Sequence, residues 1–216
     1  MISWTHLTHF GDLTITALLA FAITAWLLVE DERKLAACWS GLFLSALGIV
    51  TLTKMAFIGW GIFIPVLDFT GFSGHAMRAT AVFPVLSYLL FQRSPSLVRT
   101  WGVLAGFALA GMIGLSRLVL HSHSVSEVVA GTLLGGMVSA GFMLIAGSLR
   151  KHIFTKVRIA LCLAALLPAP YVQPAPTQEW LTGVSLFFSG HERPFLRVDC
   201  REAGVWRCPR DFAGDD

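Results

Sequence analysis

The chain has 216 residues, 55% of them hydrophobic and 13% charged, with a formal net charge of +3; its mean hydropathy is +0.70. So few charges cannot keep the surface of a soluble domain of this length wetted, which excludes that class. The apolar residues fall instead into runs long enough to cross about 30 Å of hydrocarbon.

Six such runs are predicted, at 13–29, 35–53, 76–91, 98–115, 125–148 and 157–172, the third and sixth being short. One run alone fits a buried helix of a soluble protein, but six in series predict an all-α, polytopic membrane helix bundle. The opening "MISWTHLTHF" lacks a basic start and leads into a full-length span, so no cleavable signal peptide is expected. The expected division is a transmembrane helical domain at 1–172 and an extramembrane tail at 173–216. Gly and Ala recur inside the spans, as close helix packing in lipid requires.

Basic residues in short loops set orientation. Arg33, Lys34, Arg93, Arg99, Arg150, Lys151, Lys156 and Arg158 fall in the loops after the first, third and fifth spans, which are expected to face the cytoplasm. Lys54, Arg78 and Arg117 lie toward the other face, together with both termini if six spans are present. Cys38 and Cys162 sit in apolar runs and read as core thiols. Cys200 and Cys208, in "VDCREAGVWRC", would be free to pair in an oxidising compartment; spacing alone leaves the bond open.

The outer ends of the spans carry unusual polar groups. Lys54 ends the second, in "TLTKMAFIGWG"; Ser73, Gly74, His75 and Arg78 open the third, in "TGFSGHAMRAT"; Ser116 and Arg117 end the fourth; His123 and Glu127 open the fifth. Cations converging on helix amino termini describe an anion site, and a phosphate is the anion expected at a membrane surface. Ionisable groups at this depth are functional by default, the plain alternative being snorkelling cations and scattered interfacial histidines. His123 and Glu127 are four apart and share a helix face. A carboxylate on one imidazole nitrogen fixes the tautomer and leaves the other free to attack. His75 is placed to protonate a leaving oxygen, with Lys54 and Arg117 offsetting charge on the phosphoryl group. His121 reads as an interfacial neighbour and Asp68 as a turn former. No zinc motif appears, and neither a metal nor a cofactor is expected.

The segment "SRLVLHSHSVSE" resembles the third motif of the phosphatidic acid phosphatase type 2 superfamily: Ser-Arg, five residues, His, three residues, Asp. "FSGH" resembles the second motif, Pro-Ser-Gly-His, and Lys54 the lysine that opens the first. The resemblance implies that His123 is the nucleophile forming a phosphohistidine, Glu127 its orienting partner and His75 the general acid. Lys54, Ser73, Gly74 and Arg117 would bind phosphate without a metal, and Ser116 belongs to the same motif. Three positions depart from the pattern: Glu127 replaces Asp, Phe72 replaces Pro, and the Arg-Pro that should follow Lys54 is missing. Arg78, three residues after His75 on the same helical face, is placed to compensate.

The expected activity is hydrolysis of a lipid phosphate or diphosphate at the outer, periplasmic face of a bacterial inner membrane. The alternatives are a lipid phosphotransferase, or a non-catalytic lipid-phosphate binder or transporter. Expected partners are the lipid substrate and the bilayer, without nucleic acid; oligomeric state stays open. The aromatic tail contains Ser189-Gly190-His191 and then Arg193-Pro194. Two readings remain for it: a lid whose Arg193 supplies the missing phosphate contact, or, more simply, a surface segment with a chance Arg-Pro pair.

Overall fold

The computed structural model describes residues 4–147, 176–198, 200 and 208. Among these residues there are seven α-helices and no strand: α1 (Trp4–His9), α2 (Leu13–Val29), α3 (Arg33–Trp60), α4 (Gly74–Leu90), α5 (Ser96–Val119), α6 (Val125–Gly147) and α7 (Thr177–Ser189). Helices coincide with five of the six expected apolar runs, as α2 to α6; the sixth run, at 157–172, lies with Cys162 outside the described residues.

Asp12 caps α2, its carboxylate accepting from Thr14 N at 3.4 Å. α2 turns Leu19, Ile23, Trp26 and Leu27 inward. It is tied to α3 by the Trp39 indole, which donates to Ala20 O (3.0 Å), and by a Thr24–Ser40 hydroxyl pair (3.1 Å). Where lipid offers no hydrophobic drive between helices, such polar ties and tight packing hold them together.

α3 is longer than its sequence pattern predicts. It has 28 residues and continues past Lys54 to Trp60, where Gly61 ends it in the left-handed region (φ 65°). Its length is thus ~42 Å at 1.5 Å per residue. The six residues after Lys54, "MAFIGW", contain nothing that breaks a helix before Gly61. Lys54 is consequently inside the helix, almost two turns before its end, and not at its terminus as expected.

α4 is the central element, packed between α5 and α6. Ala76, Met77, Ala79, Ala81, Val82 and Val85 have no exposed surface. A helix surrounded by protein can use small residues where a lipid-facing one needs bulk, which explains its weak hydropathy signal. Neighbouring helices approach it through glycines. A Cβ on Gly131 of α6 would lie 2.5 Å from Ser73 O, and one on Gly106 of α5 would lie 2.8 Å from Phe83 O. Backbone oxygen cannot yield cheaply, so Gly131→Ala should destabilise the protein by about 1–3 kcal/mol. A thermal unfolding midpoint in detergent equal to that of the wild type would contradict this packing.

The outside is apolar. Phe21, Leu44, Leu52, Leu133, Met137 and Leu144 each expose more than half of their surface, while Glu127, Ser73, Ser116 and Thr16 are buried. This inversion is a membrane protein's: α3, α5 and α6 are long and apolar enough to cross a bilayer, and α2 is a shorter apolar helix. The helix order puts Arg33, Lys34, Arg93 and Arg99 at one end of the bundle and Lys54, Ser73 and His123 toward the other. Arg150, Lys151, Lys156 and Arg158 lie outside the described residues. Gly147 closes α6 near Tyr88, at the first end. The chain reappears at the opposite end, where Thr177 and Leu181 border Lys54.

Candidate active site

The link between α5 and α6 begins with His121 in the left-handed region (φ 51°) and leads directly into α6. Ser124 and Glu127 start that helix as a reciprocal pair. Ser124 Oγ accepts from Glu127 N (3.4 Å), and a Glu127 carboxylate oxygen accepts from Ser124 N (3.2 Å). This is a capping box, Ser-x-x-Glu, which satisfies donors the first helical turn leaves free. It also aims the Glu127 side chain backward, toward His123.

His123 Nδ1 lies 2.7 Å from Glu127 Oε2, and the Glu127 side chain has no exposed surface. An ionised carboxylate only accepts, so Nδ1 carries the proton and Nε2 keeps its lone pair. Burial holds the His123 imidazole below its usual range, opposed by its hydrogen bond to Glu127. The other carboxylate oxygen, Oε1, accepts from Thr70 N (2.8 Å) and Thr70 Oγ1 (2.5 Å). Two further contacts close the same corner: Ser73 N donates to Glu127 O (3.0 Å), and the Ser126 hydroxyl donates to Leu67 O (2.6 Å). Glu127 thus joins the loop before α4 to the start of α6.

The cationic and imidazole groups gather here. Lys54, Arg78, Arg117 and His123 all lie within electrostatic reach of His75, and Lys54 and Arg117 within reach of His123. Arg78 is buried and donates from Nη2 to Gly11 O (3.1 Å). Its head rests on the start of α4, where a Cβ at Gly74 would come 2.7 Å from Nη1. Arg117 Nη1 donates to Thr8 Oγ1 (2.8 Å). Lys54 and Arg78 line a cavity of about 100 Å³ with Val50, Thr51, Gln178 and Leu181 among its walls. Ser73 Oγ, Arg78 Nε and Arg117 Nε are buried and make no hydrogen bond within the described structure. Buried donors are normally satisfied, so three of them around one corner suit a polyanionic group. Ser116 differs: it is buried and its hydroxyl proton goes to Ile113 O (2.6 Å), inside its own helix.

Several contributors were not singled out by the sequence. Thr8 comes from α1 and Gly11 and Asp12 from the α1–α2 link, and Asp12 is the acid whose charge acts on both Arg78 and Arg117. No motif marks them, because their role depends on where α1 settles against α5. Ser124 does carry a sequence signal, the Ser-x-x-Glu spacing of a capping box. His121 is exposed, in keeping with its reading as a neighbour. Asp68 does form a turn, in the left-handed region (φ 46°), and also accepts from Arg197 Nη1 (3.3 Å).

The tail folds against this end of the bundle, but not as a lid working through Arg193. Arg193 is exposed. The guanidinium that reaches the site is Arg197, whose Nη2 meets Glu127 Oε1 at 2.5 Å. His191 and Phe195 bind the end of α3 and set the register of the segment, which turns the fourth residue after Arg193 inward. Cys200 and Cys208 form a disulfide.

Fold and site together define an all-α membrane protein with a histidine–carboxylate pair set among cations at one end of its helices. The PAP2 superfamily matches residues 65–151, a range that includes Ser73, His75, Arg117, His123 and Glu127 but begins after Lys54. An uncharacterized 22.5 kDa protein in the cps region of Klebsiella pneumoniae is 36% identical over 203 residues, 92% of this chain and 97% of that protein. Phosphatidylglycerophosphatase B of Bacillus subtilis is 35% identical over 79 residues, 34% of this chain and 38% of that enzyme. No solved structure matches. The chain belongs to the PAP2 superfamily, whose members are lipid phosphatases.

Proposed function

We propose that this protein hydrolyses a lipid phosphate or diphosphate through a phosphohistidine on His123. The observation that carries the reading is the 2.7 Å contact between His123 Nδ1 and a fully buried Glu127, set among Lys54, His75, Arg78 and Arg117. Binding alone needs cations; it does not need an imidazole held with one nitrogen free. The name of the Bacillus relative supports the lipid-phosphate class.

In the proposed reaction the Nε2 lone pair of His123 attacks phosphorus while the bond from phosphorus to the lipid oxygen breaks. The negative charge of the bound phosphate offsets the cations around His75 and favours its protonated form, which gives its proton to that leaving oxygen. Water then attacks the phosphohistidine, His75 takes the water's proton, the P–N bond breaks and inorganic phosphate leaves. Lys54, Arg78 and Arg117 offset the charge on the phosphoryl oxygens. Ser73 and the first amides of α4 add the amino-terminal end of that helix. Ser116, whose hydroxyl donates to Ile113 O, is given no step here. Attack requires neutral imidazole, and burial of His123 favours that form. No step calls for a metal or cofactor.

The test is phosphate release by detergent-purified protein from a panel comprising phosphatidic acid, phosphatidylglycerol phosphate, an isoprenoid diphosphate and a phosphorylated lipid A, with and without EDTA. Release from at least one of them, unchanged by EDTA, is expected. No release from any would overturn the proposal and favour a binder.

We also place the site on the periplasmic side of a bacterial inner membrane. Arg33, Lys34, Arg93 and Arg99 at the opposite end and the disulfide at this one support that orientation. With Cys38 and Cys162 replaced by serine, Ser122→Cys should react with a membrane-impermeant maleimide in spheroplasts. Ser96→Cys, at the other end, should react only after permeabilisation. The reverse pattern would invert the topology.

A further inference from the structure

The last turn of a helix leaves carbonyls without intrahelical partners. At the end of α3 the tail supplies donors to them. Phe195 N donates to Ile58 O (3.1 Å), His191 Nδ1 to Gly59 O (2.6 Å) and Cys208 N to Gly61 O (3.1 Å). Apolar contact reinforces the dock: Cys200 and Cys208 are buried with Phe57, Ile58 and Phe63, and Leu181 and Phe195 pack against them. The Phe195 ring lies so close to Gly61 that a Cβ there would come within 2.9 Å of it. The disulfide joins the two ends of this dock. Two residues after Phe195, Arg197 points into the site. Its Nη2 meets Thr70 Oγ1 (3.0 Å) and Glu127 Oε1 (2.5 Å), and its Nη1 meets Asp68 Oδ2 (3.3 Å).

We propose that Arg197 is a positioning residue for the hydrolytic reaction and that residues 176–198, anchored with Cys200 and Cys208 on the end of α3, form the strap that delivers it. The inference rests on the phosphatase reading above. The two oxygens of Glu127 divide their partners: Oε2 faces His123, and Oε1 faces Arg197 and Thr70. A carboxylate held on one oxygen cannot rotate away on the other, so Arg197 acts on His123 through Glu127. It also sets a positive charge against a buried carboxylate. Arg197 is not the missing phosphate-binding arginine of the first motif: its guanidinium is spent on Asp68, Thr70 and Glu127, on the side of the carboxylate away from the imidazole.

The experiment compares wild type, Arg197→Ala, Arg197→Lys, Phe195→Ala and the Phe195→Ala/Arg197→Ala double variant, using the lipid phosphate that the panel identifies. Arg197→Ala should lower kcat on the order of 10- to 100-fold, the cost of a slightly misplaced reacting group, with KM within about twofold. Arg197→Lys, which keeps the charge and loses the fork, should recover part of that loss. Phe195→Ala releases the strap without touching Glu127, and the double variant should be no slower than Arg197→Ala alone. An unchanged kcat in Arg197→Ala, or a raised KM at constant kcat, overturns the positioning role while the phosphatase reading stands. Multiplying losses in the double variant overturn delivery by the strap. A wild type inactive on the whole panel overturns both the reading and the inference. Because a general loss of folding would move every variant alike, the recovery in Arg197→Lys separates positioning from mere stability.

Discussion

His123→Ala should lower turnover by on the order of 10³-fold or more while the protein still folds and inserts. Removing a nucleophile deletes the covalent route, and the surrounding groups then retain only binding and charge stabilisation. Folding should survive because the structural work at this corner is done by others: Ser124 caps α6, and Thr70 and Ser73 hold Glu127. The paired control is His121→Ala, which should stay within a few-fold of wild type because His121 is exposed and stands two residues away. Comparing kcat for the two variants, with gel filtration as the check on folding, decides the matter. A dead His121→Ala beside an active His123→Ala would mean that the wrong imidazole has been assigned.

Glu127→Gln should cost about 10²- to 10⁴-fold in kcat, as expected when the acid behind a catalytic imidazole becomes an amide. The amide can keep the size of the side chain but has lost the charge that stabilises imidazolium. It also cannot accept with both ends at once: one end faces His123 and Ser124 N, and the other faces Thr70 and Arg197, all of them donors. Glu127→Asp keeps the charge with one methylene less and should retain partial activity, since it cannot span both sets of partners. Phosphate release by the three proteins in the same detergent gives the answer. A Gln variant as fast as wild type would remove Glu127 from the mechanism.

Much of the bundle was legible because a bilayer demands long apolar runs, and α2, α5 and α6 follow those runs closely. The pair His123 and Glu127 was legible because four residues make one helical turn, so sequence spacing alone puts them on a common face. Lys54 was less so. Its helix ends at Gly61 and not at the first charge, since a lysine with a long stem is tolerated inside a helix and only the left-handed glycine stops it. What the motif spacing does not show for Ser116 is its local partner: in a buried helix its hydroxyl finds the carbonyl one turn back.

The membrane class, the order of the apolar runs and the residues that α4, α5 and α6 bring to one end can all be read from the amino-acid order. Each of these follows from local periodicity or from the spacing of a few residues along one helix. Which distant segments complete the corner emerges from the packing of the folded chain. Gly11 reaches Arg78 across 67 positions, Thr8 reaches Arg117 across 109, and Arg197 reaches Glu127 across 70. The tail reads as a surface segment with an Arg-Pro pair, yet the arginine that turns inward is Arg197, and Arg193 stays in the open. No pattern within the tail could have made that choice. It is made by the unpaired carbonyls at the end of α3 and the space above Gly61, which fix where His191 and Phe195 dock and so which side chain faces the carboxylate.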